Sequence, residues 1–174
     1  AFGGLNAIYF TSEGVNVSPI DLDQQLQDRL ESEFTLVFTN LTRSASAVLS
    51  EKPSSDIDKN LRLNNIRSQA NQSLSHIECG DLDGLGKLLT DAWKEKRGIS
   101  HSVSNNELDY LHDQLMNLGA NGAKLLGAGG GGFFLVHGDK GLRRKIKQSL
   151  GEVNRIIPIE IDFDGSKIIH DGSE

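Results

Sequence analysis

What the sequence lacks narrows it quickly. Cys79 is the only cysteine, so no disulfide forms within the chain, and the expected compartment is a reducing one. The apolar runs fall far short of the ~20 residues that a membrane-spanning helix requires, and the first residues carry no basic leader, so a cytoplasmic protein with no membrane partner is expected. Cationic excess is missing too: 18 Lys and Arg stand against 24 Asp and Glu, a formal charge of -6, with the signs interleaved and no basic stripe. Nucleic acid is therefore not an expected partner, and an anionic small ligand has to be met by local cations. There is no internal repeat and no low-complexity segment. His76 and Cys79 lie one helical turn apart without a second ligand pair, so no metal site is expected. His101, His112 and His137 have no carboxylate or nucleophile at a telling spacing, so no catalytic residue is assigned. The chain also opens without methionine on AFGGLNAIYF, an apolar strand pattern already under way, which reads as a chain cut within an element.

What is present is a length suited to one domain, residues 1–174, with enough surface to bury a real core. Leu5–Phe10 reads as a strand, and Gly14 supplies a turn into VNVSPI, giving an antiparallel hairpin. DLDQQLQDRLESE places Leu22, Leu26 and Leu30 on one helical stripe, and FTLVFTN follows as a buried strand leading into LTRSAS. Three helices come next. The first carries Ile57, Leu61, Ile66, Ala70, Leu74 and Ile77 and ends at Gly80; the second is capped by Asp81 and ends at Gly98. The third opens on SNNE, where Ser104 and Glu107 have capping-box spacing, and runs to Gly119. FFLVHG is a strand, Asp139–Leu150 a short basic helix, and IIPIEIDF a strand with Pro158 best placed at an edge. Asp164-Gly165 is a strong two-residue turn signal that would pair the last two strands. Strands at both ends with helices grouped in the middle predict an α+β fold, an antiparallel sheet packed on a group of helices.

One stretch stands out. GAKLLGAGGGGFF puts Gly127, Gly129, Gly130, Gly131 and Gly132 within six residues, between an expected helix and an expected strand. Gly127, Gly129 and Gly132 match G-x-G-x-x-G, but the dinucleotide loop opens a helix, and here a strand follows. A Walker A loop fails because Phe133 and Phe134 stand where Lys and Ser or Thr belong. Two readings survive. Bare consecutive N–H groups form a nest for an anion, with Lys124 supplying charge nearby, or the glycines let a helix and a sheet pack closely.

GAKLLGAGGGGFF resembles the third signature motif of the GHMP kinases. The longer run from Trp93 to Val136 is similar to their sugar 1-kinase branch, which includes heptose 7-phosphate kinases, and AFGGLN and FTNLTRSAS fit the same branch. The resemblance implies the C-terminal, substrate-side domain of such an enzyme, of ferredoxin-like fold, whose glycine loop lines the cleft near the phosphates. It implies ATP and Mg²⁺ as cofactors and a sugar phosphate, such as D-glycero-D-manno-heptose 7-phosphate, as the substrate phosphorylated at its anomeric hydroxyl. It also implies an N-terminal domain as partner. Phe2-Gly3-Gly4 resembles the end of a segment whose upstream aspartate is the family's candidate base, and neither that aspartate nor the PxxxGLGSS-type loop around ATP lies within these residues. The chain alone is thus expected to be inactive.

On this likeness Arg43 is expected to fork onto a phosphate, a bidentate task that suits a guanidinium. Ser44 and Ser46 serve equally as ligands of sugar or phosphate and as caps of a helix starting near Ala45. Lys124 is read either as a phosphate cation or as a solvated lysine near a helix end. Lys96 and Arg97 read as helix-end cations favoured by the dipole, and Trp93 as core. The alternative to a kinase part is a non-catalytic α+β binding or regulatory module whose glycines serve packing alone.

Overall fold

A computed structural model describes residues 2–42 and 56–168. The chain begins with the expected hairpin, β1 (Asn6–Thr11) paired antiparallel to β2 (Gly14–Pro19). Helix α1 (Gln24–Glu33), whose first turn is capped by Asp23 accepting from the Leu26 N–H, runs directly into β3 (Phe34–Phe38). Among the described residues three helices follow: α2 (Asp56–Glu78), α3 (Leu82–Arg97) and α4 (Asn106–Asn117). The chain then forms β4 (Gly122–Leu125), β5 (Phe133–His137), α5 (Leu142–Leu150) and β6 (Ile156–Pro158).

The main sheet has the order β4-β5-β3-β6, with every pair antiparallel. Strands β3 and β4 are consequently parallel to each other with β5 between them, and β5 and β6 are parallel with β3 between. That is the split β-α-β arrangement of a ferredoxin-like fold, with α4 and α5 as its two crossover helices and α2 and α3 added before the first. Most of the core lies on one face of this sheet. Val37, Ala123, Leu125, Phe134 and Val136 pack there with Leu108, Leu111 and Leu115 of α4 and with Leu142, Ile146 and Leu150 of α5. The opposite face carries a smaller cluster of Leu30, Phe34 and Leu82, with Leu85, Leu89 and Leu135 against it.

Helix α3 covers the edge strand β4. Thr90 Oγ1 accepts the Ala123 N–H at 3.1 Å, satisfying a donor the sheet leaves open. Gly122 allows this approach, since a Cβ there would stand 1.7 Å from the carbonyl oxygen of Gly86. Trp93, at the far end of α3, is fully buried and meets Phe134 edge-on at 5.7 Å, the core position expected of it.

Several expectations are corrected. The glycine stretch does not follow a helix directly: Gly122–Leu125 forms β4, so the loop joins two antiparallel strands. The cap of α4 is Asn105, whose side chain accepts the Leu108 N–H, while Ser104 instead donates to Asp109. Asp164-Gly165 forms no strand pair among the described residues. The 159–168 segment is irregular, and the Asp162 carbonyl accepts the Gly4 N–H at 2.8 Å, tying it to the opening residues instead. The IIPIEIDF strand shortens to Ile156–Pro158, at the sheet edge expected for Pro158. The apolar stripe of α2 is buried only toward its end: Ile77 is covered, but Ile57 is 83% exposed.

Candidate functional site

The connection from β4 to β5 is held at three places. The Gly130 N–H donates to the Val103 carbonyl and the Gly132 N–H to the Leu41 carbonyl, both at 2.9 Å. Thr39, just past β3, donates both its N–H and its hydroxyl to the Gly132 carbonyl. The third anchor is Lys96, whose ammonium donates to the carbonyls of Gly127 and Leu125. Close approach explains the bare backbone. A Cβ on Gly129, at φ +118°, would sit 2.9 Å from the Val103 Cα, and one on Gly131, at φ +157°, would sit 2.4 Å from the Leu41 oxygen. The packing role and the exposure of backbone therefore coexist.

What the anchors leave over is a set of donors. Among the described residues, the N–H groups of Gly127, Ala128, Gly129 and Gly131 meet no hydrogen-bond acceptor. Unpaired amides of this kind, clustered with no side chains to shield them, form a concavity suited to an anion.

Two lysines add charge to the same end of the sheet. Lys124 is opposite Leu135 in the β4–β5 register, on the sheet face away from the main core. It is half-buried, lines a groove of about 840 Å³ bounded by β1, α2 and α3, and has no carboxylate or hydrogen-bond partner among the described residues. Burial pushes its pKa down. Lys96 is pushed down to about 8, by burial first and then by the positive charge of Lys124. Two cations sharing a half-buried region, with no acid between them among the described residues, make a field that favours a bound anion.

The expected site residues divide accordingly. Lys124 and Gly127, Gly129, Gly130, Gly131 and Gly132 come together on one loop and its leading strand. Arg43 and Ser44, with Ser46, lie outside the described residues; Thr42 is the last one before them, just beyond the Leu41 carbonyl that holds the loop. Lys124 belongs to a strand, so its reading as a solvated lysine near a helix end is set aside. Lys96, read as a dipole partner of its helix, instead grips the loop. The signal lay in its spacing: Trp93 and Lys96 are three apart on α3 and share a side, so a buried Trp93 brings Lys96 inward. Arg97 keeps a structural role, paired with Asp109 at 2.8 Å and lying over the Trp93 ring.

Comparison with known proteins decides the family. The family model described as GHMP kinases C terminal matches residues 66–156, more than half of the chain. The chain belongs to the GHMP kinases. A D-glycero-alpha-D-manno-heptose 7-phosphate kinase of Campylobacter jejuni is 31% identical over 141 residues, covering 79% of this chain and 42% of that enzyme. A crystal structure of a D-glycero-D-manno-heptose 1-phosphate kinase from Bacteroides thetaiotaomicron matches 98% of this chain and 47% of that one, with a TM-score of 0.65 and 21% identity. Mevalonate kinase of L. major, solved with R-mevalonate, also matches at a TM-score of 0.65 and 21% identity, over 91% of this chain and 51% of that one. At that identity the two structures establish the fold, and they agree with the α+β, ferredoxin-like arrangement of this GHMP kinase domain. The chain spans about half the length or less of these relatives. Among the described residues no helix is long and apolar enough to cross a membrane.

Proposed function

We propose that this GHMP kinase chain is the C-terminal, substrate-side part of an ATP-dependent kinase that phosphorylates the anomeric hydroxyl of a sugar phosphate, with D-glycero-D-manno-heptose 7-phosphate as the favoured substrate. The observation that carries this reading is the glycine loop, whose amides at Gly127, Ala128, Gly129 and Gly131 have no acceptor among the described residues and stand beside two half-buried lysines. Similarity to a relative named as a heptose 7-phosphate kinase supports the choice of substrate.

Phosphoryl transfer needs little covalent chemistry from the protein; it needs the reacting groups held in line and the phosphate charge met by fixed donors. The loop amides and Lys124 fit phosphate oxygens, whether those of ATP or of the sugar phosphate. Arg43 and Ser44 are proposed to complete the substrate's phosphate contacts. The same residues do not fit a metal: among the described residues, no group of three or more His, Cys, Asp or Glu gathers to hold one. Magnesium, which shields phosphate charge when bound, and most of the ATP contacts are assigned to an N-terminal kinase domain supplied by the rest of the enzyme. Because the chain spans under half of the heptose kinase it resembles, it is expected to show no kinase activity by itself.

Two proteins test this: the 174-residue chain and the same chain extended upstream to the length of its relatives. Both are assayed with ATP and Mg²⁺ on a panel of sugars, sugar phosphates and mevalonate. Turnover of a heptose 7-phosphate by the longer protein alone is the expected result. Activity of the short chain would overturn the fragment reading. Turnover of mevalonate but no sugar would overturn the substrate, and inactivity of the longer protein throughout would favour a binding or regulatory module.

A further inference from the structure

Lys96 leaves the last turn of α3 and reaches the entrance of the glycine loop, where its ammonium donates to the Gly127 carbonyl and, at 3.5 Å, to that of Leu125. A trans peptide unit is planar, with its C=O and N–H pointing in opposite directions. The Gly127 carbonyl and the Ala128 N–H belong to one such unit. By drawing that carbonyl toward α3, Lys96 turns the Ala128 N–H away from α3, and this N–H is one of those without an acceptor among the described residues. The second half of the loop has its own anchors, Val103 on Gly130 and Leu41 on Gly132. In the first half, beyond the pairing of Leu126 N–H with Phe133, Lys96 is the contact the described residues provide.

We propose that Lys96 is the positioning residue of the anion site: it fixes the direction of the Ala128 N–H, a donor of the nest, and adds a second positive charge to that of Lys124. The role rests on the phosphate-binding reading of the loop. It differs from a helix-end cation in being needed for the orientation of one particular peptide unit. It also explains why a lysine is kept half-buried beside another lysine, since the loop carbonyls accept hydrogen bonds from its ammonium while its charge still reaches the anion.

The test uses the ¹⁵N-labelled 174-residue chain titrated with inorganic phosphate and with pyrophosphate, read from the amide resonances of the loop. In the unsubstituted chain the amides of Gly127, Ala128, Gly129 and Gly131 are expected to shift saturably. Lys96→Met should move the Ala128 resonance before any phosphate is added and weaken binding by about tenfold or more, through the loss of one oriented donor and one positive charge. Lys96→Arg should restore most of both. Lys124→Met should weaken binding yet leave the anion-free Ala128 resonance in place. The remaining amide spectrum reports folding, and Lys96→Gln replaces the methionine variant if that one does not fold. An unmoved Ala128 resonance with phosphate binding at full strength in Lys96→Met overturns the proposal. If the unsubstituted chain itself fails to respond to either anion, the phosphate reading of the loop falls, whereas the anion-free resonances still decide whether Lys96 orients the peptide.

Discussion

At the scale of single residues, the glycines of the loop are not interchangeable. Gly127 has φ +71° and open space where a Cβ would go, so Gly127→Ala carries only the left-handed backbone cost, about 1–2 kcal/mol. Gly129 has φ +118° and the Val103 backbone 2.9 Å from its would-be Cβ. Gly129→Ala must also displace the segment whose carbonyl holds the Gly130 N–H, and a loss of roughly 3 kcal/mol or more is expected. Urea unfolding of both variants checks the difference; equal losses would mean that the Val103 segment yields freely. Gly127, Gly129, Gly130, Gly131 and Gly132 were visible as a cluster in the sequence, but which of them face open space depends on Val103 and Leu41, residues with no motif of their own. Lys96 was hidden for a related reason. A lysine in the last turn of a helix is ordinary, and only the packing of Trp93 turns it toward the loop.

At the scale of elements, helices were more legible than strands. Asp81 and Gly98 bound α3 as expected, because capping is local chemistry between a side chain and the nearest free N–H or C=O. The start of α4 slipped by one residue since Ser104 and Asn105 are both competent caps, and the Ser104 hydroxyl is taken by Asp109 at 2.7 Å. Asn105→Ala should therefore lower stability by about 1 kcal/mol through the lost cap. Ser104→Ala should cost less than that, and thermal melts of the two that reversed this order would restore Ser104 as the cap. The strand missed altogether was β4. GAKL is four residues long with a glycine and a lysine in it, and its pairing partner β5 lies beyond the glycines, so no local pattern announces it. The Asp164-Gly165 hairpin failed in the opposite way: the turn residues are right, and Gly165 has the positive φ of +66° they suggest, yet no strand pair forms around them among the described residues.

At the scale of the whole molecule, the buried histidines set the response to acid. His112 lies in the core against Phe134, and His137 is 1% exposed with Glu33 3.5 Å from its Nε2; no ring nitrogen of either has a hydrogen-bond partner among the described residues. Burial holds both below the usual histidine range. The folded chain keeps them neutral while the unfolded chain takes up protons near pH ~6.5, so stability is full above that value and declines as the pH falls through the folded values. Within that window each histidine costs about 1.4 kcal/mol per pH unit. Urea midpoints between pH 7.5 and 5 should fall accordingly, and less steeply in His112→Phe and His137→Phe; an unchanged midpoint would show that the histidines protonate without leaving the core. The sequence by itself determined the α+β class, the order of most elements and the glycine stretch, because periodicity, caps and turn chemistry act over a few residues. Only the tertiary structure decided that the loop joins two strands, that Leu41 and Val103 floor it, that Lys96 reaches its entrance and that Lys124 stands half-buried without a counterion among the described residues. Each of these joins residues far apart in the chain, and what brings them together is the closing of the sheet on its helices, a sum of many apolar contacts that no short stretch of sequence contains.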